Sequence, residues 1–284
     1  MPSGKFYQIG ESVHASIPKT GAVMKELVKA GPGAYEKSSD ALNYMVALIA
    51  DQAAKGADYI AVNVDAFGED DPALAVDLMR KYVALVKKHG GGVPVCIDSS
   101  DLNCLKAGLD EWYKTPGAPV PLVNSVKVST IDALLPLRKE KPFKVIGMLV
   151  DENERADEAT VDAIYKLART IFDAATGKYG FTPDDLFFDT TAFPLAIDLP
   201  MMPGTPSFTY RCFESIKKIK SDPDMKNVHF SLGITNCVND LPARKIGICR
   251  AYVQKGREYG LDAGIVNVNH EYGQKPADPD PVSY

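Results

Sequence analysis

The sequence predicts a (β/α)8 TIM barrel that forms a single domain over residues 1–284. Three observations lead to this fold class. Eight short β-rich segments recur along the chain, longer stretches with helical spacing of apolar residues separate them, and 284 residues suit one barrel, which typically needs about 250. Strands that alternate with helices are typical of a parallel sheet, and eight of them favour a closed barrel over an open sheet.

The strand candidates are short apolar runs that contain β-branched or aromatic residues. In chain order they are FYQIG (6–10), DYIAVNV (58–64), VPVCID (93–98), PLVNSV (121–126), KVIGMLV (144–150), DLFFDT (185–190), VHFSLG (228–233) and DAGIVNV (262–268).

Helical spacing predicts helices between these strands, at 39–55, 72–88, 101–109, 130–139, 158–179, 207–220 and 242–259. Pro72 suits the first turn of its helix, and the acidic run Glu69-Asp70-Asp71 before it is typical of a helix start, with Asp70 or Asp71 as the N-cap. The pairs Lys55-Gly56 and Tyr259-Gly260 are typical of helix C-caps.

Two segments depart from this regular alternation. The span from Gly21 to Lys37 is rich in Gly and Pro, and we expect a long loop there that acts as a lid over the C-terminal mouth of the barrel. After the eighth strand about 16 residues remain, and KPADPDPVSY is too rich in proline for a normal helix. We therefore expect a shortened or absent eighth helix, with a short turn or a partner chain at that end, and a homodimer.

Composition and charge argue against several classes of protein. The net charge is −5 and Lys and Arg form no block, which argues against binding to nucleic acid. The N-terminal MPSGKFYQIG lacks the apolar run of a signal peptide, and no segment approaches the roughly 20 apolar residues of a membrane span, so we expect a cytoplasmic protein. The five cysteines form no CxxC pair and the four histidines no HxxxH pair, which predicts reduced thiols and no metal site.

Carboxylate and carboxamide side chains follow most of the predicted strands. They are Asn63 and Asp65 after the second strand, Asp98 after the third, Asn124 in the fourth, Asp151 after the fifth, Asp189 in the sixth, Asn236 after the seventh and Asn267 in the eighth. Asp and Asn are poor strand formers, although each one alone would also serve as a cap for the next helix. In a barrel the C-terminal ends of all strands meet at one mouth, so we expect these side chains to line a binding site.

The chemistry of this ring favours one kind of ligand. A ring of Asp and Asn with few Lys or Arg suits a neutral heterocycle with several hydrogen-bond donors rather than a phosphate or a sugar acid. A pterin fits, because its 2-amino group and N3–H form a planar donor pair that matches a carboxylate, and its other ring atoms need amide partners.

At these same residues the sequence resembles the pterin-binding methyltransferases related to dihydropteroate synthase. This group includes the methyltetrahydrofolate:corrinoid methyltransferases and the folate-binding domain of cobalamin-dependent methionine synthase. The matching segments stand in the family's order over almost the whole chain: IGE (9–11), DYIAVNVD (58–65), PVCIDSSDLNCLKAGL (94–109), PLVNSV (121–126), DLFFDT (185–190), GITN (233–236) with LPAR (241–244), and GLDAGIVN (260–267). The series IDSS, KAGL and VNS is the most specific part.

The resemblance implies a role for each matched residue. Asp189 is expected to pair with the amidine edge of the pterin, Asp98 and Asn124 with ring nitrogens on its other side, and Asn236 with N5, where the methyl group arrives or leaves. Further substrate-binding positions implied by the match are Asn63, Asp65, Glu11 on the site floor, and Asn267. Lys127 is either a solvated loop lysine or a contact for the glutamate tail of folate, and His14 and His270 are either structural or reach the mouth.

The activity implied by the resemblance is transfer of a methyl group between N5 of tetrahydrofolate and a corrinoid. The chain contains no DxHxxG motif of a corrinoid-binding module, so we expect a separate corrinoid protein as partner and methyltetrahydrofolate as product. Two alternatives stay open, a dihydropteroate synthase-like enzyme and a non-catalytic pterin-binding protein. The first is disfavoured because SLGITN and GIVNVN, at the seventh and eighth strands, lack cations for an anionic substrate.

Overall fold

The computed structural model describes residues 4–150, 159–198, 206–239, 241 and 245–277, and it has the predicted architecture. Eight parallel strands pair in chain order, and the last pairs with the first, which closes the barrel. The strands are β1 (Tyr7–His14), β2 (Tyr59–Asn63), β3 (Val95–Asp98), β4 (Leu122–Val126), β5 (Lys144–Met148), β6 (Leu186–Asp189), β7 (His229–Gly233) and β8 (Ala263–Val266). All eight predicted strands are confirmed, and β1 alone runs well past its predicted end.

The helices among the described residues surround this barrel. They are α1 (Pro18–Ala30), α2 (Asp40–Ala54), α3 (Asp65–Gly68), α4 (Pro72–His89), α5 (Leu102–Trp112), α6 (Ile131–Leu134), α7 (Val161–Lys178), α8 (Phe208–Lys220) and α9 (Ile246–Tyr259). Asp71 accepts from Leu74 N–H as the N-cap of α4, and Gly56 and Gly260 take φ of 82° and 114° after α2 and α9. These left-handed conformations are the ones glycine adopts without strain, so the predicted caps are confirmed.

Strand residues alternate between the inside of the barrel and the layer of helices. The inward residues form one buried cluster of Ile9, Tyr59, Ala61, Cys96, Leu122, Ile146, Phe187 and Ala263. The outward strand residues belong to a larger buried cluster with the helices. Because the side-chain period of a strand is two, the next inward position on each strand lies at its C-terminal end, above a plug of apolar side chains.

The prediction of a long loop from Gly21 to Lys37 is wrong, because most of this span lies in α1. Pro18 occupies the first turn, and Met24 and Leu27 are fully buried on one face of the helix. Gly21 is a packing residue: a Cβ on it would lie 2.1 Å from the carbonyl oxygen of Ala15. The sequence pattern of Gly and Pro therefore reflects a helix start and a close approach of backbone, and this segment is not a lid loop.

Two further differences have simple causes. The helix predicted for residues 130–139 is divided into α6 and a 3-10 helix (Leu135–Lys139), because Pro136 has no N–H to continue an α-helix. After β8 the described residues form only a 3-10 turn (Val268–His270) and further turns as far as residue 277, as expected for a shortened or absent eighth helix. Arg257 ties the two chain ends together by donating to the carbonyl oxygens of Gly4 and Gly273.

Three further observations cover only the described part of the chain. No helix there is long and apolar enough to cross a membrane. All five cysteines are buried free thiols. No group of three or more His, Cys, Asp and Glu side chains is arranged to hold a metal ion.

Candidate functional site

The described residues among the polar side chains predicted at the strand ends lie at the mouth of the barrel, and three of them occupy one row. Asn63 on β2 is in register with Asp98 on β3, and Asp98 is in register with Asn124 on β4. Each stands two residues beyond an inward apolar residue of the same strand, so the period of the strand directs all three side chains inward. The barrel thus places three neighbouring polar groups above its core.

Asp98 and Asn124 form a hydrogen-bonded pair. Nδ2 of Asn124 donates to Oδ1 of Asp98 over 2.9 Å, and Asn63 gives the same carboxylate a second side-chain hydrogen bond. Burial raises the pKa of Asp98 to about 7, against the opposing effect of these two amides. The nearby carboxylates of Asp65 and Asp189 raise the pKa further, so three acids lie close to one another at the mouth.

Asp189 faces the same space from β6 and is 7% exposed. The backbone N–H of Thr191 donates to its Oδ1 over 2.7 Å, and within the described residues its Oδ2 accepts no hydrogen bond. Burial raises the pKa of Asp189 to about 7. Neither Asp189 nor Asp98 has an ion-pair partner in the described parts of the chain, so both carboxylates are available to a ligand that donates hydrogen bonds.

Asp65 also reaches the mouth, but its carboxylate is already engaged. The hydroxyl of Ser99 donates to Oδ1, and the hydroxyl and the backbone N–H of Ser100 both donate to Oδ2 over 2.8 Å. Asn63 in turn accepts the backbone N–H of Asp65 through Oδ1. In this arrangement Asp65 holds the loop between β3 and α5 in place.

Glu11 lies on the opposite side of the mouth from β4. Its Oε2 accepts a 3.5 Å hydrogen bond from the hydroxyl of Thr235, and the backbone N–H of Asn267 donates to the same carboxylate. Burial raises the pKa of Glu11 to about 7. The carboxamide of Asn267 itself accepts from the backbone N–H of Asn269, which shapes the turn after β8.

Asn236 is exposed, on the 3-10 turn (Ile234–Val238) that follows β7. Within the described residues its carboxamide makes no hydrogen bond, so it does not join the Asp98–Asn124 pair directly. The turn brings Nδ2 so close to Gly233 that a Cβ there would lie 2.9 Å away. The Asn236 side chain therefore lies at the mouth, where its N–H donors and its carbonyl acceptor are available to a ligand.

The other residues singled out in the sequence have these places. His14 is in register with Asn63, its Nδ1 accepts the N–H of Ser16, and burial lowers its pKa. Lys127 follows β4 and is partly buried, and His270 bonds to the hydroxyl of Tyr272. Cys237 is buried and its sulfur lies 3.9 Å from that of Cys249, away from solvent. Asp151 and residues 242–244 of the LPAR segment lie outside the described residues.

One residue of the site was missed in the sequence. Gln52 is buried on α2, and its Oε1 accepts the backbone N–H of Ser12 where the pairing of β1 with β2 shifts register. A β-bulge of this kind leaves a strand N–H without its ladder partner, and Gln52 supplies one. The available signal was a glutamine among the core-facing positions of its helix.

Comparison with known protein families matches residues 34–238 to the family described as pterin binding enzyme. The chain belongs to the pterin-binding enzyme family. Among curated proteins it is similar to methionine synthase of Mycobacterium tuberculosis, with 25% identity over 227 residues, which are 77% of this chain and 18% of that protein. The chain thus spans less than a fifth of that relative.

Solved structures of the same fold include dihydropteroate synthases. The enzyme from Vibrio fischeri superposes with a TM-score of 0.59 and 14% identity over 96% of this chain and 91% of that chain. The enzyme from Yersinia pestis, solved with a pterine-sulfa conjugate, gives a TM-score of 0.55 and 13% identity over 94% and 90%. At these identities the likeness shows that the fold is shared.

Proposed function

We propose that the barrel binds the pterin ring of tetrahydrofolate at its mouth and transfers a methyl group between N5 and a corrinoid carried by a partner protein. The observation that supports the proposal most directly is a pair of carboxylates, the partly buried Asp98 and the buried Asp189, that lack ion-pair partners within the described residues and face a common space. Membership of the pterin-binding enzyme family supports the ligand, and the similarity to methionine synthase supports the reaction.

In the proposed complex, the pterin binds to the hydrogen-bond donors and acceptors that these side chains do not already use within the protein. Oδ2 of Asp189 accepts from the 2-amino group and N3–H of the pterin, while Thr191 holds Oδ1 in place. On the other side, Asp98 and Asn124 offer acceptors and an amide donor to the remaining ring atoms, as an already hydrogen-bonded pair. Because water is largely excluded from Asn124 and Asp189, such hydrogen bonds stabilise the bound ring more than exposed ones would.

The proposed reaction needs orientation more than strong acids or bases. The N5 lone pair forms a bond to the methyl carbon, the bond from that carbon to cobalt breaks, and the electron pair stays on cobalt. N5 then loses its proton, which gives methyltetrahydrofolate. Asn236 suits this position because its amide can accept from N5–H before transfer and donate to a lone pair after it. The predicted direction is formation of methyltetrahydrofolate.

Dihydropteroate synthase chemistry is the second candidate, because the solved structures of the same fold include enzymes of that type. The residues at the ends of β7 and β8 favour methyl transfer. Among the described residues, those directly at these ends include the neutral Thr235, Asn236 and Asn267, whereas a pyrophosphate leaving group requires cations. The homodimer and the cytoplasmic location stay predictions from the sequence.

Mixing the protein with tetrahydrofolate and methylcobalamin tests the proposal. We expect loss of the methylcobalamin spectrum, formation of reduced cobalamin and production of methyltetrahydrofolate in equal amounts. The Asp189→Ala variant is the matched negative control, since it removes the proposed pterin contact. A wild-type rate equal to the rate without protein contradicts methyl transfer, and formation of dihydropteroate from a pterin pyrophosphate and p-aminobenzoate supports the second candidate.

A further inference from the structure

β1 carries a bulge that turns two titratable side chains toward the mouth. Gly10 pairs with Ile60 and the next pair is Val13 with Val62, so β1 has one residue more than β2 at this point. With Ile9 inside the barrel, the period of two directs Glu11 inward, and the extra residue brings His14 back into register with Asn63.

The bulge is braced from α2. Gln52 accepts the N–H of Ser12 over 3.1 Å, and Gly10 leaves room for it, because a Cβ there would lie 2.4 Å from Oε1 of Gln52. A buried side chain on a distant helix thus fixes the position of Glu11. Bulges beside active sites often re-aim a side chain in this way.

The contacts of Glu11 connect three strand ends. It stands on β1, accepts from Thr235 on the turn after β7, and accepts from the backbone of Asn267 after β8. In the described part of the chain, the titratable groups that face it are the thiol of Cys249 on α9 and the hydroxyl of Tyr272, and neither offers a positive charge. Among the described residues no cation forms an ion pair with it.

We propose that Glu11 is a positioning residue that acts through Thr235: its protonation state decides whether the hydroxyl beside Asn236 accepts or donates a hydrogen bond at the mouth. When Glu11 is ionised, the Thr235 O–H points at it, and the oxygen lone pairs are free to accept. When Glu11 is protonated, its own O–H donates to Thr235, and the threonine O–H turns to the partly exposed side.

This switch rests on the proposed function and gives the two directions of methyl transfer opposite requirements. When the methyl group arrives, N5 loses a proton, and a Thr235 hydroxyl that accepts helps the proton to leave toward the ionised Glu11. When the methyl group leaves methyltetrahydrofolate, N5 takes up a proton, and a donating hydroxyl beside a protonated Glu11 supplies it. Burial places the pKa of Glu11 at about 7, where both states are populated at neutral pH.

The test measures kcat at saturating substrates in both directions, between about pH 5.5 and 8.5. Saturation removes the effect of pH on pterin binding from the profile, and the comparison with Glu11→Gln shows which part of the remaining ionisation belongs to Glu11. For the wild type we expect the rate of tetrahydrofolate methylation to rise through about pH 7 and the reverse rate to fall. Glu11→Gln and Thr235→Val should both lose this ionisation, and Thr235→Ser should retain it.

Glu258→Gln is the matched control, because this exposed glutamate on the outside of α9 pairs only with Lys255 among the described residues. It should reproduce the wild-type profile. If the pH profile of kcat for Glu11→Gln still shows the wild-type ionisation, the inference is wrong. A merely structural role for Glu11 would change the rate and leave that ionisation in place.

If the protein transfers no methyl group, the proposed function is wrong, but the role of Glu11 can still be tested through binding. Calorimetric affinity for tetrahydrofolate is then compared between about pH 6 and 8. The inference stands if Glu11→Gln and Thr235→Val change the pH dependence of binding in the same way, and it falls if both follow the wild type.

Discussion

Asp189→Asn should make the unliganded protein more stable at alkaline pH. Asp189 is 7% exposed, and burial raises its pKa from 3.8 to about 7. Above pH 7 the folded protein therefore contains a buried, ionised carboxylate without an ion-pair partner among the described residues. The asparagine keeps the oxygen that accepts from Thr191 N–H and removes the charge.

The sign and the size of the effect on the free energy of unfolding follow from the change in the pKa of Asp189. The folded state binds a proton more tightly than the unfolded state, so the free energy of unfolding of the wild type falls as pH rises from about 4 to above 7. A pKa moved from 3.8 to about 7 corresponds to about 4 kcal/mol at a pH above both values, which is an upper limit for one site. Between pH 5 and 8 the advantage of Asp189→Asn over the wild type should grow by about 2–3 kcal/mol.

Urea unfolding at pH 5 and pH 8, followed by circular dichroism, measures this difference. Asp198→Asn is a suitable control, because Asp198 is on the same side of the barrel, lies outside the apolar interior and is partly exposed. A difference between Asp189→Asn and the wild type that is the same at both pH values would refute the reasoning. It would mean that Asp189 is not a buried acid with a raised pKa.

Three further predictions concern the support of the site and its chemistry. Gly10→Ala should lower the free energy of unfolding in urea by about 1–3 kcal/mol, because its Cβ meets Gln52, whereas Gly33→Ala, which has open space, should change it by less than about 0.5 kcal/mol. Asn236→Ala should lower the rate of methyl transfer about tenfold and leave the calorimetric affinity for tetrahydrofolate nearly unchanged; equal losses in both would contradict a role at N5. Asp65→Ala should cost about 1–3 kcal/mol in the same urea assay, since it removes the acceptor of two serines, and an unchanged midpoint would contradict that support.

The positions of Asp98, Asn124 and Asp189 could be predicted from sequence because they follow from a period of two. Each stands at the end of a strand whose preceding inward residue is apolar, and closure of the barrel brings those ends together. The family match at the same residues pointed to the same mouth. The chemical roles of these side chains remain proposals.

The arrangement around Glu11 could not be predicted in the same way. It depends on an extra residue in β1, and the bulge is held by Gln52, which is distant in sequence and looks like an ordinary member of a helix face. The α1 helix was missed for a related reason. Gly21 packs against the backbone of Ala15, and a glycine that permits close packing cannot be distinguished from one that forms a loop by local sequence alone.

The central claim is that the polar residues at the barrel mouth bind a reduced pterin, and a calorimetric titration with tetrahydrofolate tests it most directly. The wild type should bind with one site per chain, and Asp189→Ala should lose binding because the amidine edge of the pterin has no carboxylate to meet. An equal affinity in the wild type and in Asp189→Ala would contradict the account, since the ligand would then bind somewhere other than this mouth.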